Sequence, residues 1–152
     1  MARFASGVTV VTTRDEDGDF VGFTASAFSS LSLEPPLLLV CLQNDADCYD
    51  AFMQEPPHFG VSILARGQAE IALRFATKGI DKVAGTPVIR GPITGLPLIE
   101  GATAHAECHI GDRILEGDHT ILIGEVLQAD SNEREPLLHF NRQFGRFQPD
   151  EA

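Results

Sequence analysis

From His119 to Leu127 apolar side chains occupy both parities of an extended run, Ile121, Ile123 and Leu127 on one face and Leu122 and Val126 on the other. A strand of this kind has to be covered on both sides, so the fold needs at least two layers around it. The preceding run is different. Ala102, Ala104, Ala106, Cys108 and Ile110 alternate with Thr103, His105, Glu107 and His109, the period of two expected of a strand with one buried face lined by small residues. Gly7 to Thr13 is a β-branched run, the polar cluster Arg14 to Asp19 follows, and Phe20 to Phe23 resumes the apolar character, which predicts a hairpin. Leu37 to Leu42 and His58 to Leu64 are further strand candidates. Asp45 or Asp47 is placed to cap a short helix running to about Gln54, before Pro56 and Pro57. Ile71, Ala72 and Phe75 share one face of a second helix over 68–76. Residues 78–101, with Gly and Pro scattered through them, read as loop with short extended pieces. About six strands and two short helices without regular βαβ alternation predict a mainly β chain, an antiparallel barrel of Greek-key type with short flanking helices.

The 152 residues fit one domain, 1–152, with no repeat or linker. Eleven Lys and Arg against 22 Asp and Glu give a net charge of −11, a field that repels nucleic acid and anionic membranes. The N-terminal residues carry no apolar segment of secretory length, and a cytoplasmic location is expected. Cys41, Cys48 and Cys108 form no Cys-x-x-Cys and cannot all pair within one chain, so reduced thiols are expected.

Gly-x-Gly-x-x-Gly, the P-loop, Gly-x-Ser-x-Gly and His-Glu-x-x-His are all absent. His105-Ala-Glu-Cys-His109 has metal-binding residue types, but on a strand Cys108 points away from His105, Glu107 and His109. The expectation is a solvated strand face with a buried Cys, and no metal. Lys82 and Arg74 are candidate cationic contacts in an otherwise acidic chain, with solvated surface as the default reading for both. Thr24 to Ser32 carries five hydroxyls and no charge, placing donors and backbone N–H groups along one edge.

Three blocks flank and include that segment. They are Gly7-Val-Thr-Val-Val-Thr-Thr13, the stretch from Gly22-Phe-Thr-Ala-Ser-Ala-Phe to Pro36-Leu37, and Gly117-Asp-His-Thr-Ile-Leu-Ile-Gly-Glu-Val126. In this order and spacing they resemble the flavin reductase family with its split-barrel FMN-binding fold. Phe59 to Leu64, Gln68, Phe75, Pro136 to Leu138 and Phe144 add to the resemblance, which runs from about Phe4 to Arg146. It implies a homodimer holding flavin near the subunit interface, with NADH or NADPH reducing FMN, FAD or riboflavin, and in many members a flavin-dependent monooxygenase as recipient. The alternative within the family is an FMN-binding electron carrier or a non-catalytic flavin-binding barrel.

Carried over by position, the resemblance implies that Thr24, Ala25, Ser26 and Ala27 line the flavin ring. It makes Cys41 to Cys48 the flavin-phosphate loop, with Cys41, Gln43, Asn44, Ala46 and Cys48 at the ligand. The family commonly has Ser or Thr where Ala46 and Cys48 stand, so a weakly held, exchangeable flavin is expected. His119 matches the histidine near nicotinamide and flavin, and Phe144 stands where an aromatic closes the site.

Overall fold

The computed structural model describes residues 2–55 and 57–151. Twelve strands occur among them: β1 (Ser6–Gly7), β2 (Thr9–Arg14), β3 (Phe20–Ala25), β4 (Phe28–Ser32), β5 (Leu37–Gln43), β6 (His58–Ile63), β7 (Val88–Arg90), β8 (Pro97–Ile99), β9 (Ala104–Glu116), β10 (His119–Ser131), β11 (Leu138–Phe140) and β12 (Gln143–Gly145). One helix, α1 (Ala69–Phe75), and a 3-10 turn at Tyr49–Met53 complete the set. No helix among the described residues is long and apolar enough to cross a membrane.

Seven strands form one antiparallel sheet in the order β3-β2-β6-β9-β10-β5-β4. Its two edge strands, β3 and β4, are neighbours in sequence, joined only by Ser26 and Ala27. Six strand spacings laid flat would separate those edges by roughly 29 Å. The short connection reaches about 11 Å at full stretch. The sheet therefore curls until its edges meet, and Cys41 N–H donates to the Ala27 carbonyl at 3.0 Å, extending the β4–β5 ladder into the connection. The mainly β split barrel expected from the sequence is what forms.

Inward residues of the strands, with Phe52 from the 3-10 turn, fill the barrel: Val11, Phe23, Val40, Leu42, Phe59, Val61, Cys108 and Leu122 are all buried in one cluster. A second cluster, Val8, Val10, Leu64, Ala72, Phe75, Ile99, Ala102 and Leu137, lies between the outer face of the sheet, α1 and β8. Val10 and Val11 are adjacent and fully buried because one serves each cluster. The hairpin, the helix over 68–76 and the two long strands stand where the periodicity places them.

Two expectations are corrected. The 3-10 turn takes Cys48 as its first flanking residue, without a side-chain cap, because Asp47 is engaged elsewhere. Of the expected Pro56-Pro57 stop, Pro56 lies outside the described residues, and the turn ends before it at Met53. The odd face of β9 is not solvated: Glu107 is 1% exposed and His105 8%. The 91–96 turn and β8 cover this face. Glu107 accepts from Ile93 N–H, Thr94 N–H and the Thr94 hydroxyl, while His105 bonds the Ile99 carbonyl and Asp130. A Cβ at Gly91 would land on the Glu107 carboxylate, so the turn comes that close only with glycine. Among the described residues no group of His, Cys, Asp and Glu is arranged to hold a metal. All three cysteines are free, with burial pushing the Cys48 thiol up to about 11 and Cys108 up to about 12.

On β10, Thr120, Leu122 and Gly124 are buried inside the barrel, whereas the outward Ile121 and Ile123 are only half-buried and Leu127 is exposed. Gly124 sits against the core: an added Cβ would lie 2.6 Å from Phe59 Cζ and 2.9 Å from Cys108 Cβ. Gly124→Ala should therefore cost about 1–3 kcal/mol through overpacking, read as a lower urea midpoint at unchanged slope.

Candidate active site

Barrel closure brings the Ser26–Ala27 connection beside the end of β5 and the start of β10. There a cavity of about 300 Å³ opens, lined by Thr24, Ala25, Ser26, Ala27, Cys41, Gln43, Ala46 and His119. Phe75, Ala76, Lys78 and Lys82 from α1 and the segment after it, with Asp47 from the loop after β5, complete the wall. Its walls are small: four alanines from three separate segments let a flat ligand approach the backbone. The Ser26 hydroxyl and the Gln43 amide supply polar groups, and two ammonium groups stand on the wall formed after α1.

The sequence-predicted residues separate by position. Thr24 lines the cavity, but its hydroxyl donates to the Ala72 carbonyl and holds β3 to α1. Asn44 does not line it. Its Nδ2 donates to Gly117 O at 3.3 Å, its Oδ1 accepts from the Thr120 hydroxyl at 2.7 Å, and its N–H donates to Asp118 O at 2.9 Å. Asn44 thereby fastens the loop to the β9–β10 turn, whose Gly117 has a φ of 65°. His119 follows that turn with its ring 39% exposed, and its Nδ1 lies 2.7 Å from Asp118 Oδ1. Asp118 is drawn below the usual aspartate range by the hydrogen bond and charge of His119. Cys48 is buried in the barrel core, away from the cavity wall. Phe144 is on β12, its ring 5.5 Å from His139, and is absent from the cavity lining of its own chain.

Residues 1–148 match the family model described as the flavin reductase like domain. The chain belongs to the flavin reductase-like family. It is 41% identical over 152 residues to an NADH-dependent FAD reductase of Streptomyces globisporus, covering 97% of this chain and 82% of that protein. With the reductase component of a 4-nitrophenol monooxygenase of Rhodococcus opacus it shares 37% identity, over 98% of this chain and 78% of that one. Among solved structures, the Streptomyces globisporus NADH:FAD oxidoreductase in complex with NAD and FAD fragments superposes with a TM-score of 0.91 at 40% identity, covering 99% of this chain and 90% of that one.

Flavin chemistry suits the donor set of this family member. A planar apolar ring with one polar edge fits between small side chains, backbone and the hydroxyl and amide groups, and a ribityl phosphate meets a cation. Sequence reasoning named Lys82 as a candidate cationic contact but took solvated surface as its default. It is 7% exposed, and its Nζ donates to Asp47 Oδ1 at 3.0 Å and to Gly22 O at 3.3 Å. Lys78, also outside the expected set, donates to Asp45 O at 3.0 Å. The available signal was the pairing of an aspartate-rich loop, Asp45 and Asp47, with the lysines that follow α1. Its spacing in sequence, more than thirty residues, concealed it.

Burial raises the Asp47 carboxyl, but the Gly79 N–H and then the Lys82 ammonium outweigh it, and the group lies below the ordinary aspartate range. A carboxyl depressed in the folded state stabilises at neutral pH, and this contribution is lost as pH falls through its folded value, below about pH 4. Melting temperature against pH should therefore fall on the acid side, and the Asp47→Asn variant should begin lower at pH 7 and show a shallower acid limb.

Proposed function

We propose that the chain works as an NAD(P)H-dependent flavin reductase whose active site is the cavity between the β3–β4 connection, the β5 loop and His119. The observation that carries this reading is the convergence there of Thr24 to Ala27, Cys41, Gln43, Ala46 and His119 with Lys78 and Lys82. The 152 residues act as one domain. Flavin, when bound, supplies the two-electron chemistry, taking the hydride of a dihydronicotinamide directly. The protein accordingly needs no nucleophile or metal and contributes geometry and hydrogen bonds.

Backbone N–H groups of 24–27, the Ser26 hydroxyl and the Gln43 amide meet the polar edge of the ring and stabilise the charge that builds there on reduction. Lys82, oriented by Asp47, and Lys78 face the phosphate, and they offset the missing hydroxyls at Ala46 and Cys48. His119 Nε2 has no hydrogen-bond partner among the described residues, since Asp118 holds Nδ1. It is therefore free to orient the nicotinamide amide. The reduced flavin passes to a separate flavin-dependent monooxygenase, the arrangement named for the Rhodococcus opacus relative. The site of action is the cytoplasm, where reduced pyridine nucleotide and free thiols coexist.

The working unit is a homodimer. Leu39 on β5, Ile121 and Ile123 on β10 and Ile114 on β9 are cross-strand neighbours on the outer sheet face and only partly covered. The outward positions Cys41, Gln43 and His119 continue this face into the cavity wall. A second copy seated there would bury the face and close the cavity, which supports the reading.

NADH oxidation should require added FMN or FAD, and turnover no faster than background would refute the assignment. His119→Ala should lower kcat by about tenfold or more, a positioning loss, with flavin affinity and melting temperature little changed. Light scattering at micromolar concentration should give the mass of a dimer. Ile123→Lys, which puts a charge opposite Asp112 on the outer face, should give a folded monomer with weaker flavin binding.

A further inference from the structure

His119 reaches the cavity from a tight turn, and that turn has little of its own to hold it. Gly117 takes a φ of 65°, Asp118 is exposed, and the His119 ring is partly exposed. What grips the turn is Asn44, the first residue after β5. Its N–H donates to Asp118 O at 2.9 Å, its Nδ2 donates to Gly117 O at 3.3 Å, and its Oδ1 accepts from the Thr120 hydroxyl at 2.7 Å. The partners are residues 117, 118 and 120, so the contacts bracket His119 in sequence without touching its side chain.

These bonds run in one direction. The Thr120 hydroxyl has a single proton, and Asn44 Oδ1 takes it. The Tyr49 hydroxyl, 3.4 Å from the same Thr120 oxygen, is then the donor of that pair. A chain results from Tyr49 through Thr120 and Asn44 to the Gly117 carbonyl. It starts in the 3-10 turn and passes through a residue only 2% exposed. Head-to-tail bonds polarise one another, and the buried member anchors the exposed ones. Gln43 and Ala46, on either side of Asn44 in the same loop, line the cavity, whereas Asn44 does not. It ties the loop at the ligand to the turn that carries His119. We propose that Asn44 is a positioning residue for the reaction: through Thr120 and the turn at 117–118 it holds His119 at the nicotinamide while contacting neither substrate. A shift of about 1 Å in such a group can slow a reaction by up to about a hundredfold. The inference rests on His119 being the residue that orients the nicotinamide.

The test is steady-state kinetics of the full chain with NADH and FMN, on wild type, Asn44→Ala, Thr120→Val, Thr120→Ser, His119→Ala and the double variant Asn44→Ala with His119→Ala. Asn44→Ala and Thr120→Val should each lower kcat/KM for NADH by about tenfold, with FMN affinity from fluorescence quenching changed by less than about twofold. Thr120→Ser keeps the donor and should stay near wild type. In the His119→Ala background, Asn44→Ala should change kcat/KM by less than about twofold, since a residue that acts through His119 has nothing left to position. A further tenfold loss in the double variant would overturn the proposal, because the effect would then pass through the fold or another group. So would an unchanged kcat/KM in Asn44→Ala, or a loss of FMN affinity equal to the loss of turnover. Full turnover in His119→Ala would refute the role of His119 itself, an outcome distinct from a slow His119→Ala that Asn44→Ala slows again.

Discussion

Two residues, Ser26 and Ala27, join the opposite edges of a seven-stranded sheet, and the rest of the architecture depends on that short connection. It curls the sheet into a barrel and gives the barrel an inside. It also places one stretch of backbone with small side chains at the seam, next to the ends of β5 and β10. Fold closure and formation of the cavity are thus one event. The polar, uncharged chemistry of 24–32 suits a seam that has to pair at some positions and stay open to a ligand at others.

Electrostatics divides the molecule around this seam. The chain carries a net charge of −11, yet two ammonium groups line the cavity, one nearly buried against Asp47 and the Gly22 carbonyl. Burying an ammonium costs more than a surface pair returns unless its partners are well placed. Asp47 serves as that partner and also receives the Gly79 N–H, so one carboxylate orders the segment after α1. The same device recurs on the other side of the sheet, where buried Glu107 gathers the N–H groups of the 91–96 turn. In both places an acidic side chain positions backbone that has no regular hydrogen-bonding of its own.

Much of the fold was legible because strand and helix periods are local. The alternation over Ala102 to Ile110, the doubly apolar strand from His119, the hairpin around Arg14 to Asp19 and the helix at 69–75 can each be read from neighbours a few residues apart. The solvated reading of His105 and Glu107 failed for a nonlocal reason. What covers them is a Gly- and Pro-rich stretch whose sequence carries no period to reveal which face it will pack on. Lys82 was misplaced on the surface for the same reason, since its partner Asp47 is on another segment. Family-matching positions located most of the cavity wall, but Asn44 acts by holding the β9–β10 turn and Cys48 faces the core, because positions in a motif do not state which way a side chain turns.

The sequence by itself determined the class of the chain, its strand alternation, its acidic charge, its lack of metal and nucleotide-loop motifs, and the three blocks that carry the family resemblance. Only the tertiary structure decided that the barrel closes at Ser26–Ala27, and that Lys78 and Lys82 reach the same cavity as His119. Periodicity and motif are properties of neighbouring residues. A cavity is a property of surfaces from distant segments, and those are brought together only when the sheet curls and the irregular connections pack.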